Sequence, residues 1–397
     1  MFGIGLFVFT AASAAAALSP TISALIAARA VQGAGAAIVM PLTLTLISEA
    51  FPAEKRGAAI GLWGGIAGLA VAAGPVVGGG VIDGIDWHWI FWINVPIGLA
   101  LIPLSARRLT ESFGPRPRLD LQGLLLAGAG FLGLTWGLVR ANTLGWGSLE
   151  VVAALVAGIL LVAAFLAWER RAASPMIPLI LFRDRAFSSA NAISFFMYAG
   201  LFGALFLMAQ FLQTGLGESP LAAGIRLLPW TATPMVFAPI AGALADRYGN
   251  RSFMVGGLAL QAIGLGWVAL IAKQGVGYAE LGVALTVAGI GTSLCFPTVA
   301  NSVLGSVPPT EAGVASGTNS ALRELGGVFG VAVLAAVFTH HAVYASQAGF
   351  FARFGAALWV GAGLSAIGIV AALLAPRSRP AKPAFAPPSI AFAREIP

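Results

Sequence analysis

Charge is what this chain has least of. Asp, Glu, Lys and Arg make up 9% of its 397 residues, against about 25% in a soluble domain. Hydrophobic residues make up 58% and the mean hydropathy is +0.91. That is more apolar matter than one core takes up, since single cores stop growing near about 250–300 residues and still need a charged surface. The excess must face lipid. Cysteine is almost absent: Cys295 alone allows no intrachain disulfide and no cysteine-based metal site. Histidine is as scarce, and His88, His340 and His341 without any HExxH leave no metal site to expect. No GxxxxGK[ST] loop occurs, so nothing supports ATP-driven chemistry. Lysine is outnumbered three to nineteen by arginine, a ratio that fits a GC-rich bacterial genome.

Long apolar runs are what the chain has in abundance. Bounded by charge or by Gly and Pro, they predict about twelve transmembrane helices over 2–18, 21–48, 57–82, 89–106, 121–140, 149–168, 186–213, 220–245, 252–272, 278–304, 312–338 and 352–375. The first run has no basic leader before it and no polar cleavage region after it, which argues against a cleaved signal peptide. The net charge of +7 could suggest nucleic acid, but the basic residues sit in short loops between apolar runs, where they orient the chain in a bilayer. Sixteen Lys and Arg fall in one set of alternate loops and the tail, and three on the opposite side. The bias places both termini in the cytoplasm of a multi-pass cell-membrane protein. The tail at 377–397, with Pro380, Pro383, Pro387 and Pro388, reads as disordered.

An offset of 256 residues lines up Gly33 with Gly289, Gly35 with Gly291 and Pro41 with Pro297. The register continues through Pro52 and Pro308, Gly57 and Gly313, Ala59 and Ala315, and Gly61 and Gly317. Spans two and three thus read as a copy of spans ten and eleven, as in transporters built from repeats. Span ten is fourth in its six-helix unit, whereas one helix precedes span two. The expected architecture is therefore 4+2+6, with two helices fewer before Met1 than the repeat implies. This gives a partial N-terminal bundle at 1–108, two inserted central spans at 109–185, a six-helix bundle at 186–376 and the tail.

Several motifs then carry a family resemblance. Leu25-Ile-Ala-Ala-Arg29-Ala-Val-Gln32-Gly33-Ala-Gly35 matches a fourth-span motif residue for residue. Gly74-Pro75-Val-Val-Gly78-Gly79 matches an antiporter motif, with Ala70 where a further glycine is usual. Trp87-His88-Trp89 followed by Asn94-Val95-Pro96 resembles the start of a sixth span, with His88 where arginine is usual. Gly242-Ala-Leu244-Ala-Asp246-Arg247-Tyr-Gly249-Asn-Arg251 resembles a signature loop. Together they resemble the major facilitator superfamily, in its fourteen-span drug:proton antiporter branch, over essentially the whole chain. The resemblance implies an all-α membrane protein with pseudo-symmetric halves that exchanges drugs for protons.

Candidate residues follow from what such chemistry needs. Arg29 lies about eight residues into an apolar helix, where ionised arginine is costly enough to call for a cavity or a partner, and Gln32 shares its face. The resemblance places Arg29 by the proton pathway. Arg323 and Glu324 are adjacent in span eleven, about 100° apart around the helix, which suits either a proton carrier or a static pair. Gly74, Pro75, Gly78 and Gly79 allow a kink and close helix contact. Gly242, Asp246, Arg247, Gly249 and Arg251 form a candidate gating loop, or a plain cytoplasmic turn. Asn191, Tyr198, Gln210 and Gln213 are candidate lining for a pocket that takes apolar or cationic compounds. Trp87, Trp89, Trp92 and Trp146 read as interface anchors.

The reading these support is a non-enzymatic secondary transporter, monomeric, that exports small amphipathic or drug-like molecules against protons by alternating access. It needs a proton gradient and no cofactor, metal or nucleic acid. A remnant or late-started frame of such a transporter stands beside it as an alternative, and a membrane sensor behind that.

Overall fold

The computed structural model describes residues 1–51, 53–109, 120–172, 175–308, 311–339 and 347–376. The side chains of 44, 45, 48, 49, 53–58, 60, 61, 71, 72, 142, 246 and 347 are outside that description. The proline-rich tail, His340 and His341 lie outside the described residues.

Among the described residues every long element is helical and there is no strand. The order is α1 (Phe2–Ala17), α2 (Ile22–Ala50), α3 (Ala53–Gly84), α4 (Trp89–Trp92), α5 (Asn94–Arg108), α6 (Leu121–Leu144) and α7 (Leu149–Glu169). There follow α8 (Arg185–Gln210), α9 (Pro220–Arg226), α10 (Leu228–Thr231), α11 (Thr233–Tyr248), α12 (Asn250–Ile271), α13 (Tyr278–Gly305), α14 (Ala312–Thr339) and α15 (Gln347–Leu374). Eleven stretches are long and apolar enough to cross a membrane, and α1, with 16 residues, is a shorter twelfth apolar helix. The twelve runs read from the sequence therefore each fall on helix. Some are segmented: the run at 89–106 becomes α4 and α5, and the run at 220–245 becomes α9, α10 and α11. Pro229 and Pro234 stand at the first turns of α10 and α11, where a missing N–H and a restricted preceding residue end one helix and start the next.

Short polar side chains start the helices. Thr21, Asp120, Ser148, Asp184 and Ser219 each accept a hydrogen bond from a backbone N–H two or three residues on, satisfying donors the first turn leaves unpaired. At the turn between α11 and α12, Gly249 has φ of 85°, a backbone conformation glycine adopts without steric cost.

Packing differs along the chain. At least 39% of the apolar stretch of each of the last six spans is buried, and at most 22% of each of the first five. Both clusters of buried apolar residues lie between Leu181 and Ala375. Without a hydrophobic drive between helices in lipid, close approach through small residues must hold such a bundle. Gly257 sits over the Gly291 carbonyl and Cys295, Gly264 over the Ala288 backbone, and Gly330 over the Ala199 carbonyl. A buried polar knot adds to this. Gln261 donates to the Met197 carbonyl at 2.9 Å and to Ser365 Oγ at 3.1 Å, tying α12 to α8 and α15.

The repeat is visible in the helices. α2 begins at Ile22 and α13 at Tyr278, 256 residues apart, with Pro41 and Pro297 inside them at the same offset. Their surroundings differ. A Cβ on Gly289 would fall 2.5 Å from the Trp230 carbonyl oxygen, whereas one on Gly33 would meet nothing within 4 Å.

Candidate functional site

α3 lies against α9, α10 and α11 and joins the first part of the chain to the last six spans. A Cβ on Gly79 would stand 2.5 Å from the Pro220 carbonyl oxygen, and one on Gly224 would meet the Pro75 carbonyl. Asp83 accepts a hydrogen bond of 3.0 Å from the Leu221 N–H. The motif is thus split between two faces. Pro75 and Gly79 form the contact, while Cβ atoms on Gly74 and Gly78 would meet nothing within 4 Å. Further along α3, toward its N-terminus, Trp63 stacks on Phe296 of α13 with ring centroids 5.8 Å apart.

Beside this stacked pair lies a small cleft. Trp63 of α3, Ser194 and Tyr198 of α8, Phe296 and Leu304 of α13, and Arg323 of α14 define its walls. Ser316, Asn319 and Ser320 of α14 complete the polar side. Their spacing with Arg323 is i, i+3, i+4 and i+7, one face of a helix. Asn319 donates to Asn191 Oδ1 at 3.1 Å and to Ser194 Oγ at 2.8 Å. Asn191 in turn donates to the Phe187 carbonyl at 2.9 Å. The Arg323 guanidinium carbon lies 5.0 Å from the centroid of the Tyr198 ring, a cation–π arrangement.

The structure brings some of the expected residues together and separates others. Tyr198 and Arg323 meet at this cleft, and Asn191, buried behind its wall, reaches it only through Asn319. Gln210 and Gln213 do not: both are exposed and absent from its walls, and Gln210 is about 18 Å further along α8 than Tyr198 at 1.5 Å per residue. Arg323 and Glu324 point apart as adjacent helix residues should. The Arg323 side chain is 12% exposed and that of Glu324 72%, with Nη2 and Oε1 3.8 Å apart, beyond hydrogen-bond length.

Arg29 finds partners on its own helix and beyond. It donates to Gln32 Oε1 at 2.6 Å, Gln32 donates to Ser13 Oγ at 2.6 Å, and the guanidinium carbon stands 5.8 Å from the Phe91 ring centroid. This chain joins α2 to α1 and α4. In the loop at 242–251, Arg247 turns onto its neighbour Tyr248, 5.5 Å from the ring centroid. Gly242 lies close to Pro297, Arg251 is half-buried, and the side chain of Asp246 is outside the described residues. Trp87, Trp89 and Trp146 are exposed and Trp92 half-exposed, as anchors in an interface would be. Ser194, Ser316, Asn319, Ser320, Trp63 and Phe296 were not singled out from the sequence. Their signal was available in the helical spacing of Ser316, Asn319, Ser320 and Arg323.

Membrane-length helices and an internal repeat define a multi-pass helical membrane protein. The chain belongs to the major facilitator superfamily: the family model matches residues 1–212 and again 190–391. It is 34% identical over 336 residues to the tetracenomycin C resistance and export protein of Streptomyces glaucescens. It is 35% identical over 336 residues to the multidrug resistance protein Stp of Mycobacterium tuberculosis. Each match covers 84% of this chain and 62% of the relative, so the chain spans less than two thirds of their length. Among solved structures it resembles a POT family transporter (TM-score 0.64, 14% identity, 92% of this chain and 80% of that one). It also resembles the xylose transporter XylE of E. coli (TM-score 0.59, 12% identity, 93% and 78%). At these identities the likeness is one of fold.

Proposed function

We propose that the chain exports small amphipathic, drug-like compounds across the cell membrane in exchange for protons, by alternating access. The observation that carries the reading is the polar cleft between α3 and the helices α8, α13 and α14, set beside a kink-capable helix that crosses between the two parts of the molecule. Polar and charged side chains inside membrane spans are costly and mark transport pathways, and the resistance and export relatives point to the same activity.

In this reading Glu324 carries the proton, with Arg323, Arg29 and Gln32 along its path. The cleft takes the compound. The Pro75–Gly79 contact with α9 closes one side while the cleft, bounded by the last turn of α13 and the first turns of α14, opens on the other. By the loop charges, that open side is cytoplasmic. The 242–251 loop serves as the gate, the bundles at 1–108 and 186–376 move against each other, and one copy suffices. The test is proton release from everted membrane vesicles with an acidified lumen. Adding a transported compound should dequench acridine orange in vesicles carrying the chain. Equal responses with and without the chain would defeat the proposal.

A further inference from the structure

We infer that the cleft between α3, α8, α13 and α14 is an organic-anion site, with Arg323 as its charge and Ser316 and Tyr198 beside it. The inference deepens the export reading and rests on it for the identity of the pocket.

Among the described residues the cleft carries one kind of charge. Its thirteen wall residues include Arg323 and no Asp or Glu. The guanidinium is held in place by the Tyr198 ring on one side. Its Nε is buried and lacks a hydrogen-bond partner among the described residues. Ser316 is 4% exposed, lines the same cleft, and its Oγ also lacks a partner. Buried polar groups are nearly always satisfied, so two unmet groups on one wall indicate what the cleft is built to receive. A guanidinium N–H can only donate, whereas a hydroxyl donates or accepts. A carboxylate or sulfonate accepts from both.

The carboxylate nearest Arg323 on its own helix does not fill this role. Glu324 stays 3.8 Å from Nη2, is mostly exposed, and is not a wall residue. The Tyr198 and Asn319 faces add hydrogen-bonding capacity, while Trp63, Phe296, Val299 and Met197 supply apolar walls. An anionic head on an aromatic or aliphatic body matches that lining. A cation would bring its charge against Arg323 in a low-dielectric setting, where like-charge repulsion is strong. The inference thus departs from the apolar or cationic compounds expected from the aromatic and amide residues alone.

The test uses the full chain in phosphatidylcholine nanodiscs and two probes of one fluorophore, dansylglycine (carboxylate) and dansylcadaverine (ammonium), with empty nanodiscs as blank. The wild type should bind dansylglycine at least about tenfold more tightly, the range of one charge-assisted contact. Arg323→Gln should lose most of that affinity and leave dansylcadaverine unchanged, and Arg323→Lys should keep a preference for the anion. No discrimination by the wild type, or an equal loss for both probes in Arg323→Gln, would overturn the inference. So would displacement of dansylglycine by phosphatidylglycerol, which would assign the site to a lipid headgroup. If Arg323→Gln does not fold, the wild-type preference and Arg323→Lys decide. Binding is read without a gradient. Anion binding without vesicle proton release would therefore remove export and leave the site, and export without anion preference would remove this inference alone.

Discussion

Gly74 and Gly330 stand 256 residues apart at equivalent places in the two repeats, and only Gly330 is packed. A Cβ on Gly330 would collide with the Ala199 carbonyl of α8, while one on Gly74 would meet nothing within 4 Å. The same small residue thus has a packing task in one half. In the other it is part of a helix whose remaining motif residues, Pro75 and Gly79, make the contact to α9.

The two substitutions should therefore separate folding from transport. Gly330→Ala forces backbone apart at α8 and is expected to cost about 1–3 kcal/mol, the usual range for overpacking. Gly74→Ala should leave the melting temperature within error. Thermal unfolding of the two variants in the same detergent checks this, and equal destabilisation would contradict the packing difference.

Asn319 is the keystone of the α8–α14 contact, donating to both Asn191 and Ser194. Asn319→Leu leaves those acceptors unmet at a buried contact and should destabilise by about 1–3 kcal/mol. Asn319→Asp keeps the shape but replaces the amide donor, and should be as damaging when ionised. Melting curves of the variants decide it.

Glu324 is assigned the proton. Glu324→Gln should abolish compound-dependent proton release in vesicles while expression and melting stay as in the wild type, because the side chain is mostly exposed and packs little. Unchanged proton release would take Glu324 out of the mechanism.

Outside the membrane spans, the Asp86 carboxyl is held below its ordinary value of 3.8, first by the His88 N–H and then by the His88 ring. A carboxyl depressed in the fold stabilises above its unfolded value, and that contribution fades as pH falls below about 3.8 through the folded value. Asp86→Asn should therefore be slightly less stable than the wild type at neutral pH, by a small amount because Asp86 is an exposed loop residue, and the difference should close as pH falls through the folded value. Melting temperatures of both forms across pH 2.5 to 7 show the difference, or its absence.

Much of the architecture was legible in the chain. Apolar runs of membrane length act locally, so residue type and spacing suffice to place them, whereas the break of the 220–245 run at Pro229 and Pro234 was not read from the sequence. The repeat was legible because Pro41 and Pro297 keep their register. The site was only half legible. Of the four residues expected to line a pocket, Tyr198 stands on the cleft wall and Asn191 behind it, whereas Gln210 and Gln213 lie further along α8, and Arg323, expected on the proton path, lines the cleft too. Residue type does not encode which depth of one helix faces which depth of another. Ser316, Asn319 and Ser320 escaped because hydroxyl and amide residues in helices commonly bond to their own backbone, as Thr318 does to the Val314 carbonyl at 2.8 Å.

Proton exchange is the central claim, and reconstituted protein tests it most directly. Proteoliposomes with an acidic lumen, given dansylglycine outside at neutral pH, should accumulate it, and a protonophore should abolish the accumulation. Uptake that is the same with no pH gradient, or that survives the protonophore, would contradict the account.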